Sequence, residues 1–510
     1  MRNIVSRAIA SALLLALPLS AQAPPTDIPA TIGETIDVRV VNVEAVVTNA
    51  AGERVRGLAA ADFRLLVDGK EAPIDYFAEI AEGKSVSAQN APVAAGEEVG
   101  RNYLVYIDDA FSLANRRNDV MEKLERDLGL LGPADRMAVL AFDGARTSLL
   151  SSWTRDLGAL KAALAQARER QAQGGEMLAH QRKLQADVDS MVDNADSIDT
   201  GDSDNVGGIK VHELDVAFEW MGKRISPEAR TQLGKTTDAA IAALRGFETP
   251  PGRKVLLLLS GAWSLSVAPQ LYGPFVQTAN QLGYTVYPVD ASQSDPHEAS
   301  ALDALARATG GRLLAKANDR AFQEIVEDSG TYYWLGFTPA WKADDRRHAV
   351  TVEVRRPGLA VRSRGGFSDV SGRTQAAAKA EGVLLFGGAA ADRRLIVELG
   401  EPRRREGAYE VPVTLGVPVE ALALTPQGKE FLAEVPLAIS TQEEDGRRSN
   451  LSGLRLKVVV PAAPKPGTYA RFQTVVRLRD PRQRLILSVP DPVGGHVLWG
   501  EASPAPAKGK

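Results

Sequence analysis

Cysteine is absent from the 510 residues. Disulfides, thiolate metal sites and cysteine nucleophiles are therefore excluded, and with them a lipid anchor on an N-terminal cysteine. Histidine is scarce. The five are His180, His212, His297, His348 and His496, scattered without metal-ligand spacing. Neither H-e-x-x-h nor G-x-s-x-g occurs, so the common zinc-protease and serine-hydrolase signatures are missing. An excess of either charge is lacking too: 60 Lys and Arg face 64 Asp and Glu, for a net charge of -4. That balance gives no general argument for nucleic acid or an anionic membrane as partner. No segment after the N-terminal region is apolar for long enough to span a bilayer, and no repeat of fixed period is found.

What is present begins with an export pattern. Arg2 and Arg7 precede an apolar stretch from Ala8 to Leu19, followed by Ala21-Gln22-Ala23. A charged start, a short apolar core and an A-x-A sequence predict a secretory signal over 1–23. The expected location is outside the cytoplasm, periplasmic or secreted. Pro24, a poor neighbour for a signal peptidase, leaves the cleavage site open.

The length suits roughly three domains. Over 35–82 apolar residues alternate, with a phase slip near Val40, and Asp68-Gly69 separates two short apolar runs. This predicts a small β unit with a bulge and a hairpin. Residues 81–100 read as a linker. From 101 to 330 the pattern changes. Buried-strand runs are expected at Tyr103–Ile107, Met137–Phe142, Lys254–Leu259, Tyr284–Val289 and Arg312–Ala315. Helical spacing is expected over 116–131, 156–170, 236–246, 270–282, 298–309 and 319–328. The alternation predicts an α/β fold, a doubly wound and mostly parallel sheet, with ligands beyond the carboxyl ends of its strands. The polar stretch 171–232 reads as an insertion. Residues 331–367 return to β and are expected to complete one split β-sandwich with 35–82. Residues 369–381 read as a second linker, 382–500 as an antiparallel β-sandwich, and 501–510 as a disordered tail. Tyr332, Tyr333 and Trp334 form an aromatic run whose alternation favours core packing over a ligand platform.

Several motifs carry a family resemblance. They are Asn42–Thr48 (NVEAVVT), Leu58–Gly69 (LAAADFRLLVDG), Asp108–Ser112 (DDAFS), Leu259-Ser260-Gly261, Ala308–Arg312 (ATGGR), Tyr332–Pro339 (YYWLGFTP) and Arg362–Phe367 (RSRGGF). With them the chain resembles the von Willebrand factor type A (VWA) family, and more narrowly the VWA-related exported proteins abundant in acidobacteria. The resemblance spans about 36–367. It implies a VWA-like sheet and a secreted setting.

VWA domains often hold a divalent cation on a D-x-S-x-S loop, a threonine and a later aspartate. Here the resemblance maps that site onto Asp108 and Ser112, with Thr236 or Thr237 as the threonine. Ala110 stands where the middle serine would be and Gly261 where the second aspartate would be. The expected metal-ion-dependent adhesion site is thus degenerate. No cofactor is expected, and Mg²⁺ or another divalent cation is what the residual set would take. The alternative role for Asp108 and Ser112 is helix capping. A second acidic run, Asp202-x-Asp204 with Glu213, has EF-hand spacing, though a solvated loop explains it as well. Gly234-Lys235-Thr236 lacks the earlier glycine of a phosphate loop.

The expected activity is binding rather than catalysis. An exported protein would engage another protein or an envelope component through loops at the sheet rim, with Asp109, Ser260 and Trp263 as contact residues. Two other readings stay open from sequence: an extracytoplasmic hydrolase using carboxylates that no motif reveals, and a structural envelope component.

Overall fold

The structure, a computed structural model, describes residues 40–503 apart from 176–226, 248, 262–268, 292–300, 315–319, 387–393, 429, 443–447, 462–464, 466 and 491–496. The chain divides into two units, one of Val40–Asp369 and one holding the described residues from Val370 onward.

In chain order the first unit has β1 (Val41–Thr48), β2 (Phe63–Val67), β3 (Lys70–Ala72), β4 (Tyr76–Ala81) and β5 (Lys84–Gln89). Next come β6 (Arg101–Asp108), α1 (Ala114–Arg126), β7 (Arg136–Phe142), β8 (Thr147–Thr154) and α2 (Leu157–Glu169). After them lie α3 (Pro227–Gly246), β9 (Arg253–Ser260), α4 (Pro269–Leu282), β10 (Tyr284–Asp290), α5 (Ala301–Ala308) and α6 (Ala321–Gly330). The unit closes with β11 (Tyr332–Phe337), β12 (Arg347–Val354), β13 (Ala360–Arg362) and β14 (Gly366–Ser368).

Three sheets build this unit. One runs β10-β9-β6-β7-β8, with β10, β9, β6 and β7 parallel and β8 antiparallel at the edge. The others, β13-β1-β11-β4-β5 and β14-β12-β2-β3, are antiparallel throughout. Those two share a core that includes Val43, Phe63, Leu65, Phe77, Tyr333, Leu335 and Val350. β1 pairs with β11 across nearly three hundred residues of chain, Val43 opposite Leu335.

The expected fold class is overturned. Among the described residues strand makes up 44% and helix 27%, most sheets are antiparallel, and the sheet with parallel pairs is mixed; no doubly wound parallel VWA sheet is evident among them. The turn after β7 shows why. Asp143 accepts the N–H groups of Ala145 and Arg146 at 3.0 and 2.8 Å, tightening the link to β8. So short a connection permits only an antiparallel hairpin, since a parallel return needs a crossover of a dozen residues or more. β8 is only half-buried along its length and has no continuous apolar run to betray it. Other details differ as well. Of the expected strand Arg312–Ala315, the described residues 312–314 contribute one isolated bridge, Leu314 to Val289. β5 falls inside the expected linker 81–100.

The mixed sheet packs one face against helices. Tyr103, Val105 and Ile107 of β6 and Val255, Leu257 and Leu259 of β9 meet Val120, Met121 and Leu124 of α1, Leu160 and Leu164 of α2, and Phe322 and Ile325 of α6. Each such side chain contributes about 1.5–3 kcal/mol by leaving water. In α1, Val120 and Leu124 are spaced so that both lie on one helix face.

The second unit opens with α7 (Gly372–Phe386), in a segment expected to be a linker. Its β17 (Ala408–Pro418) pairs with β15 (Ile396–Leu399), β16 (Arg403–Arg405) and β21 (Tyr469–Leu478), and its β19 (Glu430–Gln442) with β18 (Thr425–Gln427), β20 (Arg448–Val460) and β22 (Arg484–Pro490), which also pairs β23 (Val497–Ala502). Every pair is antiparallel. Val411, Val413, Leu415 and Val417 alternate with more exposed residues and join Val435, Leu437 and Ile439 in one core. Among the described residues, no helix is long and apolar enough to cross a membrane.

Candidate functional site

β6 ends in Asp108 and β9 in Ser260, and their parallel pairing sets Ile107 beside Leu259. The two strand ends therefore meet. The Ser260 hydroxyl donates to Asp108 Oδ2 at 2.5 Å, and Asp108 Oδ1 accepts the Ala110 N–H at 3.1 Å. Ala291 N–H, just past β10, donates to Ser260 O at 2.8 Å, and Leu113 N–H donates to Ala291 O at 3.0 Å. Three strand ends and the turn into α1 are thus held as one rim at the carboxyl ends of the parallel strands.

Further segments close on this rim. Gln173 N–H donates to Asp109 O at 2.7 Å and Gly174 N–H to Ser112 O at 3.3 Å. A side chain at Gly174 would meet Ser112 backbone at 2.5 Å, so only glycine lets the two segments approach this closely. Gln232 of α3 donates from Nε2 to Gly144 O, at the turn after β7, at 3.1 Å.

One turn past Gln232 lie the two threonines. Thr237 Oγ1 donates to Leu233 O at 2.8 Å, so its hydroxyl is used within the helix. Thr236 Oγ1 is buried and has no hydrogen-bond partner among the described residues, and the same holds for Ser112 Oγ. Thr236 is therefore the threonine whose hydroxyl is left available. It lies well inside α3, which begins before the helical spacing expected over 236–246.

The expected contact residues fare differently. Asp109 is fully buried and pairs with Arg117 and, at 2.7 Å, with Arg170 Nε. Burial pushes its carboxyl above the ordinary value, against the pull of Arg170 and Arg117. Its charge is engaged in the interior by these two arginines. Ser260 is fully buried as well, and its hydroxyl donates to Asp108. Trp263, Asp202, Asp204, Glu213 and His297 lie outside the described residues. The aromatic run is structural. Tyr332 and Tyr333 are buried, Arg253 lies over the Tyr332 ring at 4.1 Å, and Trp334 meets Tyr76 edge-on.

The clamp of Arg117 and Arg170 on Asp109 escaped sequence reasoning. Its members are 8 and 61 residues from Asp109 in the chain, and no local pattern links them. A described pocket between α1, α6 and the mixed sheet is lined by Val120, Lys123, Leu124, Leu257, Val289 and Phe322 among others. It brings no carboxylates together.

Chemically, the carboxylate of Asp108 and the buried hydroxyls of Ser112 and Thr236, which have no partner among the described residues, are the oxygens of the expected cation set. All are hard oxygen donors of the kind Mg²⁺ takes. Ala110 and Gly261 add no side-chain oxygen.

No family profile matches the chain. No curated protein matches it either. Among solved structures it is similar to a variant of the PilB minor pilin from Streptococcus sanguinis, at 8% identity and a TM-score of 0.27, covering 56% of this chain and 86% of that one. It is also similar to the SpRpn10 VWA domain, at 8% identity and a TM-score of 0.17, covering 41% and 94%. A third is the three N-terminal domains of the type V pili tip protein Mfa5 from Porphyromonas gingivalis, at 10% identity and a TM-score of 0.20, covering 85% and 77%. Likenesses at these scores carry no argument about this chain.

Proposed function

We propose that this is an exported binding protein that engages another protein or an envelope component through the rim built on Asp108, Ser112 and Thr236. The observation that carries the reading is the pair of buried hydroxyls that have no partner among the described residues. Leaving a buried polar group unsatisfied costs about 1–3 kcal/mol. Two such groups at one rim are explained if a bound group completes their hydrogen bonding or coordination.

Two forms of completion follow from the donors. Asp108, Ser112 and Thr236 would hold a divalent cation such as Mg²⁺, with water filling the shell, and the ion would supply an attachment point for a partner's carboxylate. Alternatively, the partner's own polar groups would bond Ser112 and Thr236 directly. Export rests on the pattern over 1–23, and kinship with the VWA-related exported proteins rests on the motifs given above.

The test is affinity capture from a native envelope extract, with the mature chain as bait, in the presence and absence of Mg²⁺. The wild type is expected to retain a partner that Thr236→Ala and Trp263→Ala lose while their melting curves stay unchanged. Retention of the same partner by both variants would overturn the reading. A dependence on Mg²⁺ assigns the cation form, and independence assigns the direct one.

A further inference from the structure

Far from that rim in sequence, the structure gathers another set of ligand-type side chains where β12 and β14 begin and end. We propose that Asp344, His348 and Asp369 form a binding site for a divalent transition cation, zinc being the best fit to the donors, with Asp68 positioning the histidine.

The three residues each offer a ligand atom, and these atoms lie within 4.8 Å of one another. Neighbouring ligands of a tetrahedral zinc stand about 3.4 Å apart, given bonds of about 2.1 Å. Closing the site takes rotation of the Asp344 and His348 side chains toward Asp369. The sheet dictates the meeting: β12 pairs with β14, His348 opposite Phe367 and Arg347 opposite Ser368, so Asp369 comes just past the last pair, beside the loop that leads into β12.

Asp369 is the deepest member, 2% exposed. Its carboxylate accepts the N–H groups of Lys342 at 2.6 Å and Ala343 at 3.1 Å. The loop is bound to its backbone as well: Asp345 N–H donates to Asp369 O, and Asp369 N–H to Arg346 O. Among the described residues, neither Asp369 nor Asp344 makes an ion pair with a cationic side chain. A buried carboxylate is normally paired with a cation or bound to a metal, because an uncompensated buried charge is costly. Asp369 thus points to a positive charge that no side chain supplies.

The histidine is prepared for the same task. His348 Nδ1 lies 2.7 Å from Asp68 Oδ2, and its ring stacks on Phe367 at 5.0 Å and 21°. A carboxylate on one ring nitrogen places the proton there and leaves the other nitrogen, Nε2, as the coordinating atom. Asp68 is fixed in turn by accepting the Ala349 N–H at 2.9 Å. One imidazole with two carboxylates suits zinc better than Mg²⁺ or Ca²⁺, which favour all-oxygen shells. Asp344 is exposed and His348 half-buried, so an ion has a route in and keeps room for water or a further ligand.

The test is calorimetric titration of ZnCl₂ into the tag-free full chain after removal of metal. One equivalent is expected to bind. His348→Gln should weaken binding about tenfold or more. Asp68→Asn keeps an acceptor oxygen and suits its turn, and should weaken binding by about ten- to a hundredfold. If His348→Gln fails to fold, Asp344→Asn, at an exposed position, replaces it with the same expectation. No binding by the wild type, or equal binding by the folded variants, would overturn the site.

Discussion

At Asp328 one carboxylate does work that no sequence motif announces. Its side chain is 4% exposed and is held by Arg54, by Arg362 at 2.7 Å and by the Tyr287 hydroxyl at 2.6 Å. The contacts join the middle of β10 and the end of α6 to β13 of an antiparallel sheet. Burial pushes the carboxyl up, but the charges of Arg362 and Arg54 outweigh it and hold it well below the ordinary carboxylate range. A group depressed in the folded state adds stability that is complete above its unfolded pKa, about 3.9, and is lost as pH falls. Asp328→Asn is therefore expected to cost roughly 3 kcal/mol at pH 7, as breaking a buried pair does. The gap between variant and wild type should narrow by about 1 kcal/mol near pH 3. Urea unfolding at the two pH values measures it, and a gap of equal size at both would refute the assignment.

At the level of elements, the motif Ala308–Arg312 acquires a mechanical meaning. Gly310 ends α5 with a φ of 78°, and Gly311 N–H donates to Ala306 O at 2.8 Å. This is a helix stop that favours glycine. Thr309 ties the stop to the sheet: its hydroxyl donates to Leu305 O at 2.9 Å and accepts Val286 N–H at 3.2 Å. A side chain at Gly311 would stand 1.8 Å from Val286 O, an atom of the sheet backbone that cannot step aside. Gly311→Ala should destabilise by about 3 kcal/mol, the upper end for overpacking, seen as a lower urea midpoint. Gly234→Ala, in open space within α3, should leave the midpoint unchanged or raised. An unchanged midpoint in Gly311→Ala would show that α5 is free to shift away. Legibility divided along the same physical line. Tyr103–Ile107 and Lys254–Leu259 declared β6 and β9, because strands buried on both faces need continuous apolar runs. β8 and β5 are more exposed and carry no such run, and α7 begins Gly-Arg-Thr-Gln-Ala, which has neither apolar periodicity nor a turn signal. At the rim, Asp108 and Ser260 could be placed together from strand ends alone. That Thr237 serves Leu233 and Asp109 serves Arg117 depends on side-chain directions that spacing does not encode.

Over the whole chain, the distribution of tyrosine separates the two units in a way that one titration can read. Eight of the ten tyrosines lie in Val40–Asp369 and are held above their ordinary value mainly by burial: Tyr76, Tyr103, Tyr106, Tyr272, Tyr284, Tyr287, Tyr332 and Tyr333. Seven of these rings stand on strands and Tyr272 on α4, all of them buried, and Tyr103 is pushed up to about 12. A group raised by folding contributes stability that is intact below its unfolded pKa, about 10 here, and disappears as pH climbs through the folded value. With so many phenols acting together, the first unit should resist ionisation past pH 10 and then give way cooperatively. Absorbance of phenolate near 295 nm is expected to rise for the most part in one steep step. That step should coincide with the loss of far-ultraviolet circular dichroism rather than precede it. A gradual rise centred near pH 10, with the dichroism unchanged, would mean that water reaches these rings in the native state. The packing that joins the mixed sheet to its antiparallel neighbours would then be looser than the buried Tyr103, Tyr287 and Tyr332 require.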